Sequence, residues 1–366
     1  MEKAQKACCF LTRKCNIKCR ACNVINYEVE DLPLEDWEQI FLQIKNLGIE
    51  FAVLFGGEPT IRDDLPQMIE FLNHIDLKHT IITNAYRLIV DEKYYKRLMD
   101  ANPYSISVSV NSVSNIEEQF DDEKKGQMGL RLLKKLQRDG FESDLTANLA
   151  VNRKNIEELP EMVQFFTEHN IWSILTPLHT CSEEEKDFWR YRGVMKEDLS
   201  WKGAPVEDWQ KLIDTANWFV EWYDSLLLHN SKEYYQNWFP NIIQQDWKCE
   251  PDICTLQIDA DGSIMACVDI PLDEKYTVFD LDKPEYEKEI KEALERATTP
   301  CTGCFWDHLW ETNRYANMGE VKKAKQMFEH QHRTQIWKLG KTKLTPEQLE
   351  KEAVRRQKNR EKNGRL

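Results

Sequence analysis

The chain has no apolar run approaching the roughly 18 residues of a membrane-spanning helix, which argues against a helical anchor. It shows no secretory signal: Met1-Glu-Lys-Ala-Gln-Lys6 leads straight into the apolar run Ala7-Cys-Cys-Phe-Leu11. It has no surplus of positive charge. A net charge of -14 disfavours nonspecific nucleic-acid binding through long-range attraction, while a local basic groove stays open. Histidine is missing near the first cysteines, since His74 is the first in the chain, and a zinc knuckle there would want a fourth ligand close by. Cysteine is what the chain does have. Eleven cysteines without a secretory signal point to a reducing, cytoplasmic compartment and to metal sites rather than disulfides. At 366 residues the chain suits one large domain plus a smaller one, with a substantial buried core.

Cys15, Cys19 and Cys22 sit in Leu11-Thr-Arg-Lys-Cys15-Asn-Ile-Lys-Cys19-Arg-Ala-Cys22, and no fourth cysteine follows for over a hundred residues. Most iron–sulfur clusters use four cysteines. Three thiolates would hold three irons of a cubane and leave the fourth open to a substrate or cofactor, which suggests reactivity rather than electron storage. Further along, Phe51-Ala-Val-Leu-Phe55 reads as a buried strand ending in Gly56-Gly57-Glu58-Pro59. Glycines let backbone approach a ligand closely, and a carboxylate complements an ammonium group.

Together these motifs resemble the radical SAM superfamily, whose C-x3-C-x2-C loop follows the first strand. The resemblance implies that Cys15, Cys19 and Cys22 hold a [4Fe-4S] cluster whose open iron chelates S-adenosylmethionine. It implies that Gly56, Gly57, Glu58 and Pro59 seat the SAM amino group. Reductive cleavage to a 5′-deoxyadenosyl radical is the chemistry expected. Many members place an aromatic just before the last cysteine, over the adenine. Here that residue is Ala21, so the adenine is expected to rest on Val24 or Ile25.

Further strands are expected at His79–Thr83, Tyr104–Asn111, Leu145–Asn152 and Trp172–His179. Helical stretches separate them at Pro33–Leu47, Leu65–Asn73, Lys93–Asp100, Lys125–Arg138 and Asn155–Glu168. The alternation argues for an α/β fold with a parallel sheet and crossover helices. Polar residues collect at the carboxyl ends of the strands, where barrel enzymes place their chemistry. The resemblance likewise implies a partial (β/α)6 TIM-type barrel. Thr83, Asn84, Ser109, Asn111 and Asn148 are the expected cofactor contacts, with Asn111 standing where the family often has Asp.

A second cysteine group follows. Cys249-Glu-Pro-Asp-Ile-Cys254 precedes an alternating strand, an Asp-Gly262 turn and a returning strand to Cys267, which reads as a hairpin. An acidic helical stretch and Cys301-Thr-Gly-Cys304 come next. The spacing is similar to the SPASM/Twitch subfamily, in its shorter form with one auxiliary [4Fe-4S] cluster. Cys249, Cys267, Cys301 and Cys304 are the expected ligands, with Cys254 as the rival to Cys249. Four thiolates in two pairs also make a structural zinc site, and that reading stays open.

The expected organisation is a core barrel with its last helical segment over 1–247, a Twitch-like β-hairpin/helix cluster domain over 248–312, and a basic helical tail over 313–366. The tail carries fifteen Lys or Arg against six Asp or Glu. Trp189, Trp201, Trp209, Trp218, Trp222, Trp238 and Trp247 crowd the segment after the barrel, with Trp218 and Trp222 on one face of a helix expected from Val206 to Leu228. They read as packing or as an aromatic wall over the substrate mouth. Cys181, just after the sixth strand, is a candidate hydrogen-atom donor, and His179 is a candidate for acid–base work.

The expected function is a radical SAM peptide or protein maturase, served by an electron donor such as flavodoxin or ferredoxin. With fourteen residues ahead of Cys15, peptide recognition is expected from a separate protein or from the tail. A small-molecule dehydrogenase or epimerase is the alternative. A non-catalytic iron–sulfur or zinc scaffold is the third reading, which the Gly-Gly-Glu-Pro segment disfavours.

Overall fold

The computed structural model describes residues 6–19, 22–27, 29–110, 127–178, 204–239, 255–273, 275–281 and 283–301, with isolated residues between them and at 310–311. The chain divides into two compact units. One comprises Met1–Glu221 with Leu227–Asn317; the other comprises Trp222–Leu226 with Met318–Leu366. In the second, only the short stretch 222–226 is described, and it contains the 3-10 turn Tyr223–Ser225. The basic tail, the expected His179, Asn111, Cys249, Cys254 and Cys304, and Ala21 lie outside the described residues.

The larger unit alternates strand and helix as the periodicity demands. β1 (Lys6–Thr12), β2 (Phe51–Gly56), β3 (Lys78–Thr83), β4 (Ser105–Val110), β5 (Asp144–Val151) and β6 (Trp172–Pro177) pair in parallel, each with its sequence neighbour. The connections carry α1 (Leu34–Asn46), α2 (Leu65–His74), α3 (Tyr86–Val90), α4 (Glu92–Asp100), α5 (Met128–Arg138) and α6 (Leu159–Glu168). α1 shows why these segments become helices. Trp37, Ile40, Phe41 and Ile44 recur at helical spacing and are all buried, while Glu35 and Asp36 complement the N-terminal dipole. Gly48, at φ +79°, closes the end in the left-handed conformation.

The sheet is open, not closed: β9 (Leu256–Ile258), β10 (Ile264–Cys267) and β11 (Ile270–Pro271) extend it beyond β1, in the order β11-β10-β9-β1-β2-β3-β4-β5-β6. β9 pairs in parallel with β1, and β10 and β11 continue antiparallel from it. The hairpin therefore extends the barrel's own sheet along the first strand. At the other edge, Leu227–His229 bonds to Ser173 of β6, and the Asn230 side chain accepts from the Leu175 amide. This explains one departure. The helix α7 spans Val206–Trp222 and stops short of the expected Leu228, because Leu228 is recruited as a strand-like bridge to Ser173.

Strand alternation sorts the sheet faces. Ile106, Val108 and Val110 of β4, with Leu145, Ala147 and Leu149 of β5, are buried. The alternate residues are polar and aligned by register, Ser105 beside Asp144, Ser107 beside Thr146 and Ser109 beside Asn148. Parallel strands with right-handed crossovers put the helices on one side, which leaves the polar row on the concave side. Ser107 Oγ and both amide atoms of the buried Gln257 on β9 find no hydrogen-bond partner among the described residues. No described helix is long and apolar enough to cross a membrane.

His79 on β3 illustrates how the fold handles buried polarity. Its Nδ1 lies 3.1 Å from the Leu77 carbonyl, and its Nε2 accepts from the Tyr104 amide at 3.1 Å, an arrangement that requires the neutral ring. Burial pulls its pKa from 6.5 down to about 4. The unfolded chain takes up this proton first, so the stabilisation is full above pH 6.5 and is lost as pH falls toward 4. Across that window up to about 3 kcal/mol should disappear. Urea titrations at several pH values should show this slope, and His79→Gln should flatten it.

Candidate active site

The carboxyl ends of β1, β2 and β3 converge on the first cysteine loop. Gly57 N–H donates to the Thr12 carbonyl (2.8 Å) and Glu58 N–H to the Lys14 carbonyl (2.9 Å), so the Gly-Gly-Glu-Pro segment is laced to the stem of the loop. The two glycines are required for this approach. A Cβ on Gly56, itself at φ +135°, would lie 2.2 Å from the Thr12 carbonyl oxygen. One on Gly57 would lie 2.1 Å from that of Lys14. The glycines expected to admit a ligand thus also admit the cluster loop itself.

Glu58 departs from the expectation of a carboxylate offered to SAM. It is 1% exposed. Oε1 accepts from Thr60 N–H (3.1 Å), Thr60 Oγ1 (2.6 Å) and Thr83 Oγ1 (2.7 Å), and Oε2 accepts from Asn84 N–H (2.7 Å). Burial raises its pKa, and these donors oppose the rise. Glu58 and Thr83 therefore lock the ends of β2 and β3 together. Pro59 is buried at the start of a 3-10 turn, Pro59–Ile61.

Asn84 carries this lock to the cysteines. Its Nδ2 donates to Asn16 Oδ1 (2.8 Å) and lies 3.7 Å from Cys15 Sγ. Cys15 is half-buried, and Cys19 and Cys22 are exposed at the open end. Partial removal from water raises all three thiol pKa values. Cys15 feels Glu58 and Cys19, and Cys22 feels Cys19, Cys15 and Asp269, each pushing in the same direction. Metal loading must therefore displace protons. The three thiols are near enough to sense one another.

Of the other expected contacts, Ser109 is exposed at the end of β4 and Asn148 is half-buried beside it on β5, both in the concave polar row. Val24 is buried with Phe10, Met265 and Val268, while Ile25 is half-buried.

Two ties were not foreseen, one of them to the hairpin. Arg13, between β1 and Cys15, forms a bidentate ion pair with Asp259, which closes β9; their side chains are 8% and 5% exposed. Arg62 donates to the Leu11 and Leu32 carbonyls and pairs with Asp64. A basic residue two before the first cysteine and an Asp in a hairpin are visible in sequence; that they meet is not. The hairpin also holds one cysteine of the second group, Cys267. Cys267 ends β10, its Sγ accepts from Asp269 N–H at 3.3 Å, and it is 7% exposed. Cys301 follows α8, the helix Pro284–Thr298, and packs into the same apolar cluster. The Val268–Asp269 turn thus stands between the two groups, with Val268 against Val24 and Asp269 within electrostatic reach of Cys22.

Residues 9–215 match the family described as the radical SAM superfamily, and the chain belongs to that superfamily. The cofactors of the class are SAM and a [4Fe-4S] cluster, and the three-thiol loop supplies a fitting donor set. Among curated relatives, the chain is 23% identical to Fe-coproporphyrin III synthase of Methanosarcina barkeri, over 66% of this chain and 55% of that protein. It is 27% identical to "Probable GTP 3',8-cyclase" of Sulfolobus acidocaldarius, over 78% and 88% of the two chains. It is 30% identical to PqqA peptide cyclase of Granulibacter bethesdensis, over 42% and 41%. The chain thus spans about half the length of the first and third of these. Among solved structures, SuiB of Streptococcus suis bound to precursor peptide SuiA shares the fold at TM-score 0.57 and 18% identity, covering 80% of this chain and 67% of that one.

Two substitutions test the architecture. Gly57→Ala should cost about 3 kcal/mol through its backbone clash and lower iron at the first site several-fold, read by iron analysis and urea melts. Asp259→Ala should cost about 3–5 kcal/mol by stranding the buried Arg13 guanidinium; a urea midpoint within error of the parent would contradict this.

Proposed function

We infer that this radical SAM enzyme modifies a peptide or protein and carries an auxiliary [4Fe-4S] cluster beside its catalytic one. The observation that carries the reading is Cys267, held on a hairpin of the same sheet, with Asp269 two residues on within electrostatic reach of Cys22. A centre there can receive the electron left after hydrogen abstraction. The kinship to PqqA peptide cyclase supports a peptide substrate, and the fold shared with SuiB is consistent with it. The relatives named for tetrapyrrole and nucleotide chemistry favour a small-molecule substrate as the second reading.

When bound, the cluster and SAM supply the 5′-deoxyadenosyl radical, and the protein contributes orientation and shielding from water. Cys15, Cys19 and Cys22 hold the cluster. The Gly56–Pro59 backbone, with Asn84, Ser109 and Asn148, seats SAM; Glu58 and Thr83 hold that seat in shape. Asn111 and His179 are assigned to SAM contact and to proton transfer on sequence grounds. The organisation proposed is barrel, Twitch-like cluster region and basic tail over 1–247, 248–312 and 313–366. A cytoplasmic setting supplies a flavodoxin or ferredoxin donor.

The test uses anaerobically reconstituted protein. About eight irons are expected, with about four left after Cys15, Cys19 and Cys22 are changed to Ala. Dithionite-dependent formation of 5′-deoxyadenosine should vanish in that variant. Its stimulation by short peptides, and not by tetrapyrroles or nucleotides, would support the peptide reading; the reverse would install the second.

A further inference from the structure

Cys181 lies in a place its sequence context does not suggest. It follows β6 by a few residues and was expected to face the substrate pocket. The strand β7 (Thr180–Cys181) pairs in parallel with β8 (Gly193–Val194), which fixes its backbone. Its side chain is 6% exposed. It belongs to one apolar cluster with Ala266, Cys267, Ile270, Ile290 and Leu294, and Cys301 packs against that cluster. Three thiols from three distant segments therefore converge: the end of the barrel, the hairpin and the end of α8. A hydrogen-atom donor must touch its substrate, and a thiol enclosed in this cluster is turned away from that task.

We propose that Cys181 is a ligand of the auxiliary cluster, together with Cys267 and Cys301. The proposal rests on the auxiliary-cluster reading above and changes its ligand set, since Cys181 takes a position the spacing assigned to Cys249 or Cys254. The surroundings suit a buried iron–sulfur centre. The cluster's aliphatic residues, with the partly buried Trp247, Tyr276 and Tyr286 packed against them, give it an apolar surround. Cys267 Sγ already accepts a backbone N–H bond of the kind that tunes such sulfurs. A ligand from the barrel also gives the centre a structural role. Metal bound by Cys181 and Cys267 joins the segment after β6 to the hairpin beside β1, the two ends of the open sheet, so that binding energy becomes folding energy.

The experiment uses the full chain carrying Cys15→Ala, Cys19→Ala and Cys22→Ala, so that only the auxiliary centre contributes iron. Cys181→Val and Cys181→Ser are added, with Cys8→Val as a control at a buried cysteine on β1. Iron, sulfide, zinc, circular dichroism and the EPR spectrum of the reduced cluster are measured. The parent and the Cys8→Val control should hold about four irons and Cys181→Val fewer than about one, with unchanged circular dichroism. Cys181→Ser should keep iron with shifted g-values, because the hydroxyl can replace the thiol as a ligand. Four irons and the parent's spectrum in Cys181→Val would overturn the proposal. If Cys181→Val does not fold, an unchanged spectrum in Cys181→Ser overturns it equally. A parent that holds zinc in place of iron removes the iron–sulfur reading. Zinc content then decides separately, its loss in Cys181→Val keeping Cys181 as a ligand and its retention excluding it. A parent that binds neither metal overturns both.

Discussion

Two backbones approach each other so closely at the end of β1 that only glycine fits between them. The stem of the cysteine loop, Thr12 to Lys14, lies against Gly56 and Gly57, and two N–H···O bonds cross the gap. Much of the catalytic end follows from this contact. It sets where the loop leaves the sheet, and so where Cys15 points. It also places Glu58 beneath the loop, where a buried carboxylate must find donors or be expelled. Thr60, Thr83 and the Asn84 amide supply them. Through Asn84, the constraint returns to Cys15. The loop is held from the β2 side and from the β3 side by one continuous set of bonds.

The hairpin supplies the third side. A buried ion pair is a poor source of net stability, because desolvating both charges offsets their attraction. The Arg13–Asp259 pair is better understood as a device of register. Its bidentate geometry allows one placement of the hairpin against the start of the cysteine loop. That placement carries Val268 onto Val24 and Asp269 toward Cys22, while Cys267 stays on the far side of the same turn. Cys267 is thus placed relative to Cys22 by sheet pairing rather than by a local loop.

Much of the site was legible in the chain, and for identifiable reasons. The cysteine loop and the Gly-Gly-Glu-Pro segment are local motifs, whose meaning is contained in spacing. The strands and helices were legible because burial on one face imposes a period of two or of about 3.6. The roles of Glu58 and Cys181 were not, because each depends on what lies across the sheet or across a long loop. A carboxylate after two glycines reads as a ligand until the donors around it are known. A cysteine at the end of a barrel strand reads as facing the pocket until the hairpin is in place.

The order of the elements and the class of chemistry were determined by the amino-acid sequence itself, since each depends on residues near one another in the chain. Tertiary structure alone decided that β9 joins β1, that Arg13 meets Asp259, and that Cys181 and Cys267 share an apolar cluster against which Cys301 packs. Those pairings are made between segments separated by most of the chain. Local propensity carries no information about them; they are selected by the burial and hydrogen bonding of the whole sheet.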